Sequence, residues 1–309
     1  MKRFKNILFL ADRDEGLSAS LDRAVDIAKT NDARLTVMDV TAEVGLAEYI
    51  QRIYSLDLNA QLREQRMQFL ETLTQRYTDR DIPVYTRVAS GIPFIEVIRA
   101  VQRNAHDLVM KVAEHDSGLA TSLFGSTDMH LLRKCPCPVW IDRAENEPAY
   151  HRILAAVDPF DDESGSLQRL ILDLATSLSE REHATLDVMH AWEMPGESML
   201  ANGRARIPRT ELDLLLDATE TSHREALDAL LSAYGLSSGS SNVHLIKGRP
   251  AKIVSAYARE QEHDLIVMGT LGRAGIAGLF IGNTAEDVLR ETQTAVLAAK
   301  PDGFVSPIE

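Results

Sequence analysis

Short apolar runs alternate along the chain with longer segments in which apolar residues recur every three or four positions. Ile7-Leu8-Phe9-Leu10 and Leu265-Ile266-Val267-Met268 are apolar throughout rather than at every second position, the pattern of parallel strands covered on both faces. The first half is thus predicted to hold strands at 6–11, 35–40, 83–88, 107–112 and 138–142. The second is predicted to hold them at 153–157, 186–191, 242–246, 265–268 and 295–299. Between them, Leu17, Leu21, Val25 and Ala28 keep helical spacing, as do Ile253, Val254, Tyr257 and Ala258. Strand–helix alternation in this order gives right-handed βαβ units. The expected fold class is α/β, as two tandem doubly wound domains with a five-stranded parallel sheet each.

The chain repeats itself once. Asn6-Ile7-Leu8 with Asp12 is matched by Arg152-Ile153-Leu154 with Asp158, a separation of 146. Gly91-Ile92-Pro93, His106-Asp107-Leu108 and Gly125-Ser126-Thr127 are matched by Gly248-Arg249-Pro250, His263-Asp264-Leu265 and Gly282-Asn283-Thr284, all at a separation of 157. At that separation, 106–133 and 263–290 share nine identities in 28 positions. The helical region between strands two and three carries the length difference. Domains are expected at 1–144 and 150–309, joined by the polar stretch Ala144-Glu145-Asn146-Glu147-Pro148-Ala149.

Of the 309 residues, 45% are hydrophobic and 26% charged, which excludes wholesale disorder. The formal charge of −13 repels phosphate backbones and anionic lipid, so nucleic acid and membrane surfaces are not the expected partners. The apolar run of 7–11 is cut by Asp12, too short for a signal peptide, and no stretch approaches a membrane span. Cys135 and Cys137 are one residue apart, neither a disulfide framework nor a zinc pattern, and are read as reduced thiols at the start of a strand. The expected compartment is the cytoplasm.

Ligands of doubly wound sheets bind beyond the carboxyl ends of the strands, where the strand order reverses. At that place the second half carries Gly269-Thr270-Leu271-Gly272, then nine residues, then Gly282-Asn283-Thr284. Gly269 would let backbone approach a ligand and Gly272 would allow the turn. Asn283 would cap a helix at 284–291, with Glu286 completing a capping box. A glycine loop beside a helix N-terminus is an anion site suited to a phosphate chain, and Arg273 could neutralise it. The spacing is neither a P-loop nor GxGxxG after strand one. Asp158, closing strand one in Ala156-Val157-Asp158-Pro159, could accept hydrogen bonds from an exocyclic amine or a ribose hydroxyl. It could equally cap the next helix, in competition with Asp161 and Ser164.

Strand one ending in Asp158, strand two ending in His190-Ala191, and Gly269-x2-Gly272-x9-Gly282-Asn283 before a last apolar strand resemble the universal stress protein family, in its tandem-domain form. The resemblance covers both halves and implies the adenine nucleotide alpha hydrolase-like fold. It implies ATP, with Mg as a possible companion, as the bound cofactor. Asp158 and Ala191 would face adenine, Met268 and Gly269 the ribose, and Gly272, Gly282, Asn283 and Thr284 the phosphates. Asn283 departs from the family's usual Ser/Thr. Family members pair through the last strand, which implies a homodimer of tandem chains or pairing of 138–142 with 295–299 inside one chain.

In the first half, Val112 stands opposite Gly269 and His115 opposite Gly272, so nucleotide is not expected there. Asp12 and Ser126 read as a turn and an N-cap. Leu46, Tyr49, Ile50, Ile53, Tyr54, Met67 and Leu70 are read as helix-to-sheet packing or as the lining for a hydrophobic ligand. The nine histidines form no HExxH; His115 and His130, with Asp116 and Asp128 near, are the one candidate place for a metal, and none is expected. There is no GxSxG elbow and no evident base for phosphoryl transfer. A ligand-bound regulator of the stress response is therefore the leading reading; a slow ATPase and a dimeric scaffold are the alternatives.

Overall fold

The computed structural model of the chain describes residues 3–12, 16–42, 52–54, 57–77, 82–114, 124–143, 149–160, 165–203, 207–270 and 282–309. All ten predicted strands form, with ends displaced by no more than two residues. They are β1 (Asn6–Leu10), β2 (Arg34–Thr41), β3 (Val84–Ser90), β4 (Leu108–Val112) and β5 (Val139–Asp142), then β6 (Arg152–Ala156), β7 (Thr185–Trp192), β8 (Val243–Lys247), β9 (Leu265–Gly269) and β10 (Ala295–Ala299). The helices of the first half are α1 (Leu17–Asn31), α2 (Leu58–Gln75), α3 (Pro93–Asn104) and α4 (Ser126–Lys134). Those of the second are α5 (Ser166–Glu182), α6 (Glu197–Asn202), α7 (Arg209–Leu231), α8 (Pro250–Glu260) and α9 (Asn283–Glu291).

The strands form one sheet in the order β3-β2-β1-β4-β5-β10-β9-β6-β7-β8. Every pairing is parallel except the central one, where β5 meets β10 antiparallel with Val139, Trp140 and Ile141 opposite Ala298, Leu297 and Val296. Each half therefore has the same strand order, and the second is turned end for end relative to the first. Both crevices are thereby carried to opposite ends of the sheet. Strands β5 and β10 close each other's open edge, leaving β3 and β8 outermost. A second chain cannot use the last-strand edge, because the chain has already used it internally.

Alternate residues of the strands face two continuous cores. Ile7, Phe9, Leu297 and Val267 belong to one, Leu8, Leu10, Val296 and Ile266 to the other. Each core runs through both halves, as a sheet covered by helices on both faces requires. The repeated Gly-x-Pro element also has a physical reason. Gly91 and Gly248 sit at φ +139° and +149°, and Pro93 and Pro250 each start a helix. Glycine tolerates that backbone and proline is preset for a first helical turn.

A buried polar cluster fastens the seam. Trp140 of β5 donates its indole N–H to Tyr150 Oη at 3.1 Å, and Tyr150 donates to Asp142 Oδ1 at 2.9 Å. Asp142 also pairs with Arg23 of α1, whose guanidinium lies 4.0 Å from the Tyr150 ring centroid. Burial, and then the neighbouring Asp142, push the Tyr150 hydroxyl well above its ordinary pKa. Because Tyr150 precedes β6 and Trp140 lies in β5, the cluster couples the halves. Replacing the fully buried Trp140 by alanine should lower unfolding free energy by about 3–5 kcal/mol in urea titration. A loss below about 1 kcal/mol would show that the seam does not depend on this cluster.

Candidate functional site

In each half the strand order reverses between the first and fourth strands, β1 with β4 and β6 with β9. In the second half β9 ends at Gly269, and the fully buried Thr270 turns the chain. Its N–H and hydroxyl both donate to Ala299 O of β10, at 3.3 and 3.4 Å, and its carbonyl accepts from Gly282 N–H at 2.8 Å. These bonds bring Thr270 and Gly282 together and set the start of α9 beside the end of β9. Gly272 and Arg273, both expected at the phosphates, lie outside the described residues.

Helix α9 begins at Asn283, one residue earlier than expected, with Gly282 as N-cap at φ −62° and ψ 143° and, among the described residues, no side chain capping it. The expected capping box of Asn283 with Glu286 does not form. Glu286 is drawn instead to Arg133 of α4, 2.7 Å away, and to Arg290. Asn283 and Thr284 are exposed. The helix thus presents its first N–H groups, which have no partner among the described residues, and the positive end of its dipole to the crevice. Gly269 has a packing role of its own: a Cβ there would stand 3.0 Å from Leu167 Cδ2 and 3.6 Å from Ile171 Cδ1 of α5. Its bareness lets α5 lie close on the sheet. The neighbouring Met268 is buried in the second core.

Strand β7 outruns β6: the register with β6 ends at Ala156 opposite Met189, while Ala191 and Trp192 continue beside β8. Strand parity aims the backbone of Ala191, like that of Met189, toward the side that β6 has left. Asp158 lies on that side. Its Oδ1 accepts Phe160 N–H at 3.1 Å and its N–H donates to Gln168 Oε1 of α5 at 2.9 Å, so its visible contacts hold the turn. The competing caps Asp161 and Ser164 fall outside the described residues. Next to this turn the structure assembles a group that spacing alone did not reveal. His190 Nδ1 bonds Val157 O at 3.0 Å and its Nε2 bonds His223 Nδ1 of α7 at 2.8 Å. His223 also stacks on Trp192 and meets Phe160 edge-on. A groove of about 410 Å³ opens beside them, lined by Phe160, Leu215, Thr219 and His223.

The first half fills the corresponding space with charge. Lys111 of β4, fully buried, pairs with Asp128 of α4, with Asp12 after β1 at 3.2 Å, and with Glu114 at 3.9 Å. Asp128 also accepts the N–H groups of Glu114 and Gly125, at 2.8 and 3.1 Å. Glu114 Oε2 accepts Thr127 N–H at 3.2 Å, and a Cβ on Gly125 would lie 1.8 Å from that oxygen. A carboxylate of the chain itself therefore occupies the N-terminus of α4. At the repeat separation Lys111, Glu114 and Asp128 stand opposite Met268, Leu271 and Ala285, so the second half has none of these three charges. Two expectations are corrected here. Asp12 is part of an ion network rather than a plain turn, and Ser126 is the first helical residue, with Gly125 as N-cap.

Comparison with known proteins agrees with this duplicated architecture. The universal stress protein family model matches residues 3–143 and again 149–300. The chain belongs to the universal stress protein family. It is 28% identical to "Universal stress protein E" of Escherichia coli strain K12 over all of this chain and 98% of that protein. The corresponding protein of Photorhabdus laumondii is 25% identical over all of this chain and 99% of its own length. Among solved structures, a functionally unknown protein from Pseudomonas aeruginosa PAO1 matches with a TM-score of 0.75 at 25% identity, covering 98% of this chain and 95% of that one. A universal stress protein from Archaeoglobus fulgidus shares the fold, with a TM-score of 0.65 at 19% identity over 96% and 98% of the two chains. Membership in this family supports a role in the stress response.

His130 stacks on Phe94 with ring centroids 4.1 Å apart, and Asp128 is held by Lys111. His115 and Asp116 lie outside the described residues, among which no metal-binding group of three side chains occurs. Of the apolar set in the first half, Leu70 is buried while Ile53 and Tyr54 are exposed; Leu46, Tyr49 and Ile50 are not among the described residues. The ion network has a pH signature. Burial raises the Asp12 carboxyl to about 6 from an ordinary 3.8, against the attraction of Lys111 and with the repulsion of Asp128 and Glu114. Folded Asp12 thus keeps its proton where the unfolded residue has lost it, so its contribution to stability falls as pH rises through that window. Relative to the parent, Asp12→Asn should gain stability between about pH 4 and 6, by up to about 3 kcal/mol at ~1.4 kcal/mol per pKa unit. The difference should be level above about pH 7. A difference independent of pH in urea titrations would contradict the assignment.

Proposed function

We propose that the second half of this universal stress protein binds ATP and that the protein acts in the cytoplasmic stress response as a ligand-bound regulator. The observation that carries the reading is the contrast between two equivalent helix termini. The N-terminus of α4 is occupied by Glu114, whereas that of α9 has no side-chain cap among the described residues and lies at a strand-order reversal. An uncapped helix terminus of this kind favours phosphate oxygens. On this reading Gly282, Asn283 and Thr284 hold the terminal phosphates, with Gly272 and Arg273 nearby. Met268 and Gly269 face the ribose, while Asp158 and the Ala191 backbone face adenine. Magnesium would accompany the phosphates. The first half, its equivalent terminus already satisfied, serves as a partner domain without nucleotide.

Gly282 adopts an extended backbone at negative φ, which valine tolerates, so Gly282→Val imposes no backbone strain and places a branched side chain at the phosphates. Titration calorimetry with ATP should show affinity reduced at least tenfold, about 1.4 kcal/mol or more, with the unfolding midpoint unchanged. Unchanged affinity in a folded variant would remove the phosphate assignment.

A further inference from the structure

The end-for-end packing of the halves brings Lys300, just after β10, against Cys135 and Cys137, which lead into β5. Cys135 and Cys137 are both buried, with their sulfurs 3.6 Å apart. The Lys300 side chain is also buried; its Nζ donates to Leu132 O and lies 4.9 Å from the Phe304 ring centroid. Among the described residues no carboxylate forms an ion pair with it. A buried ammonium without a counter-ion is costly, and a thiolate is the anion at hand. Cys137 and Lys300 also line a cavity of about 350 Å³, together with Pro136, Pro301 and Phe304. We propose that Cys135-Pro136-Cys137 with Lys300 is a peroxide-reactive dithiol site at the seam.

Burial raises the Cys135 thiol, but its hydrogen bonds with Cys137 and the Lys300 ammonium outweigh that and hold it below its ordinary value, while Cys137 is raised. Lys300, pushed down to about 8 by burial, is in turn favoured as a cation by the two sulfurs. Cys135 is therefore the nucleophile and Cys137 the resolving thiol. Cys137 lines the cavity whereas Cys135 is fully buried, so an oxidant that reaches Cys135 must be small, and hydrogen peroxide is the class that fits. The Cys135 thiolate attacks one peroxide oxygen; the S–O bond forms, the O–O bond breaks, and the departing hydroxide takes up a proton to become water. Cys137 sulfur then attacks the sulfenic sulfur; the S–S bond forms, and the S–O oxygen leaves with the Cys137 proton as a second water. Two thiols lose two electrons and two protons, and one peroxide becomes two waters. Lys300 is a positioning residue, acting through the thiolate population.

The test is stopped-flow oxidation of the full-length protein by hydrogen peroxide, followed by intact mass and free-thiol counting. The parent should lose both thiols and two hydrogens within one chain. Cys137→Ser should stop at a sulfenic acid on Cys135 that dimedone traps, and Cys135→Ser should keep its one remaining thiol and trap no dimedone. Lys300→Met should slow the reaction about tenfold at neutral pH and move its pH midpoint up by about one unit, while Lys300→Arg should restore the parent rate. Retention of both thiols by the parent, disulfides only between chains, or a Lys300→Met variant that matches the parent in rate and pH profile would each overturn the proposal. Because the nucleotide crevice is not needed for any of these readouts, failure here leaves the ATP assignment standing.

Discussion

Three residues of β5 lie antiparallel against three of β10, and from that contact most of the molecule follows. Two parallel half-sheets, each with an exposed edge on its last strand, become one sheet of ten strands. The two cores become continuous across the join, and Arg23, Asp142, Tyr150 and Trp140 can reach one another around it. Antiparallel pairing also fixes direction. The carboxyl ends of the second half's strands lie beside the amino ends of the first half's, so Lys300 comes to rest on Cys135 and Cys137, and Arg133 on Glu286.

Within this frame the same supersecondary unit ends in two different electrostatic states. A helix N-terminus beside a sheet end needs an acceptor for its first N–H groups. The first half supplies one from its own sequence, Glu114, and Lys111 draws Glu114, Asp12 and Asp128 together at the mouth. The second half has methionine, leucine and alanine at the positions equivalent to Lys111, Glu114 and Asp128, and its helix terminus has no side-chain cap among the described residues. One copy is satisfied internally; the other, among the described residues, is not. The electrostatic difference between the two copies comes down to three side chains.

The strands were legible because a doubly covered parallel sheet demands uninterrupted apolar runs, and the repeat was legible because turns such as Gly91-Ile92-Pro93 have steric reasons to persist. The asymmetry was visible through Val112 opposite Gly269, yet its cause lay one position earlier. Lys111 inside an apolar strand, opposite Met268, was the sign that something charged had to meet it. The helix start was misjudged by one residue because the capping box reads local sequence only, while Glu286 is claimed by Arg133 from the other half. His223 beside His190, and Lys300 beside the cysteines, depend on contacts between residues far apart in sequence. Periodicity and spacing carry no information about such pairs.

The central claim is that only one of two equivalent crevices is open to a triphosphate. Native mass spectrometry of the intact chain at saturating ATP measures this directly, because each bound nucleotide adds a discrete mass. One nucleotide per chain is the predicted result. Two per chain would mean that the Lys111 network does not close the first half, and none would mean that the α9 terminus is not a phosphate site.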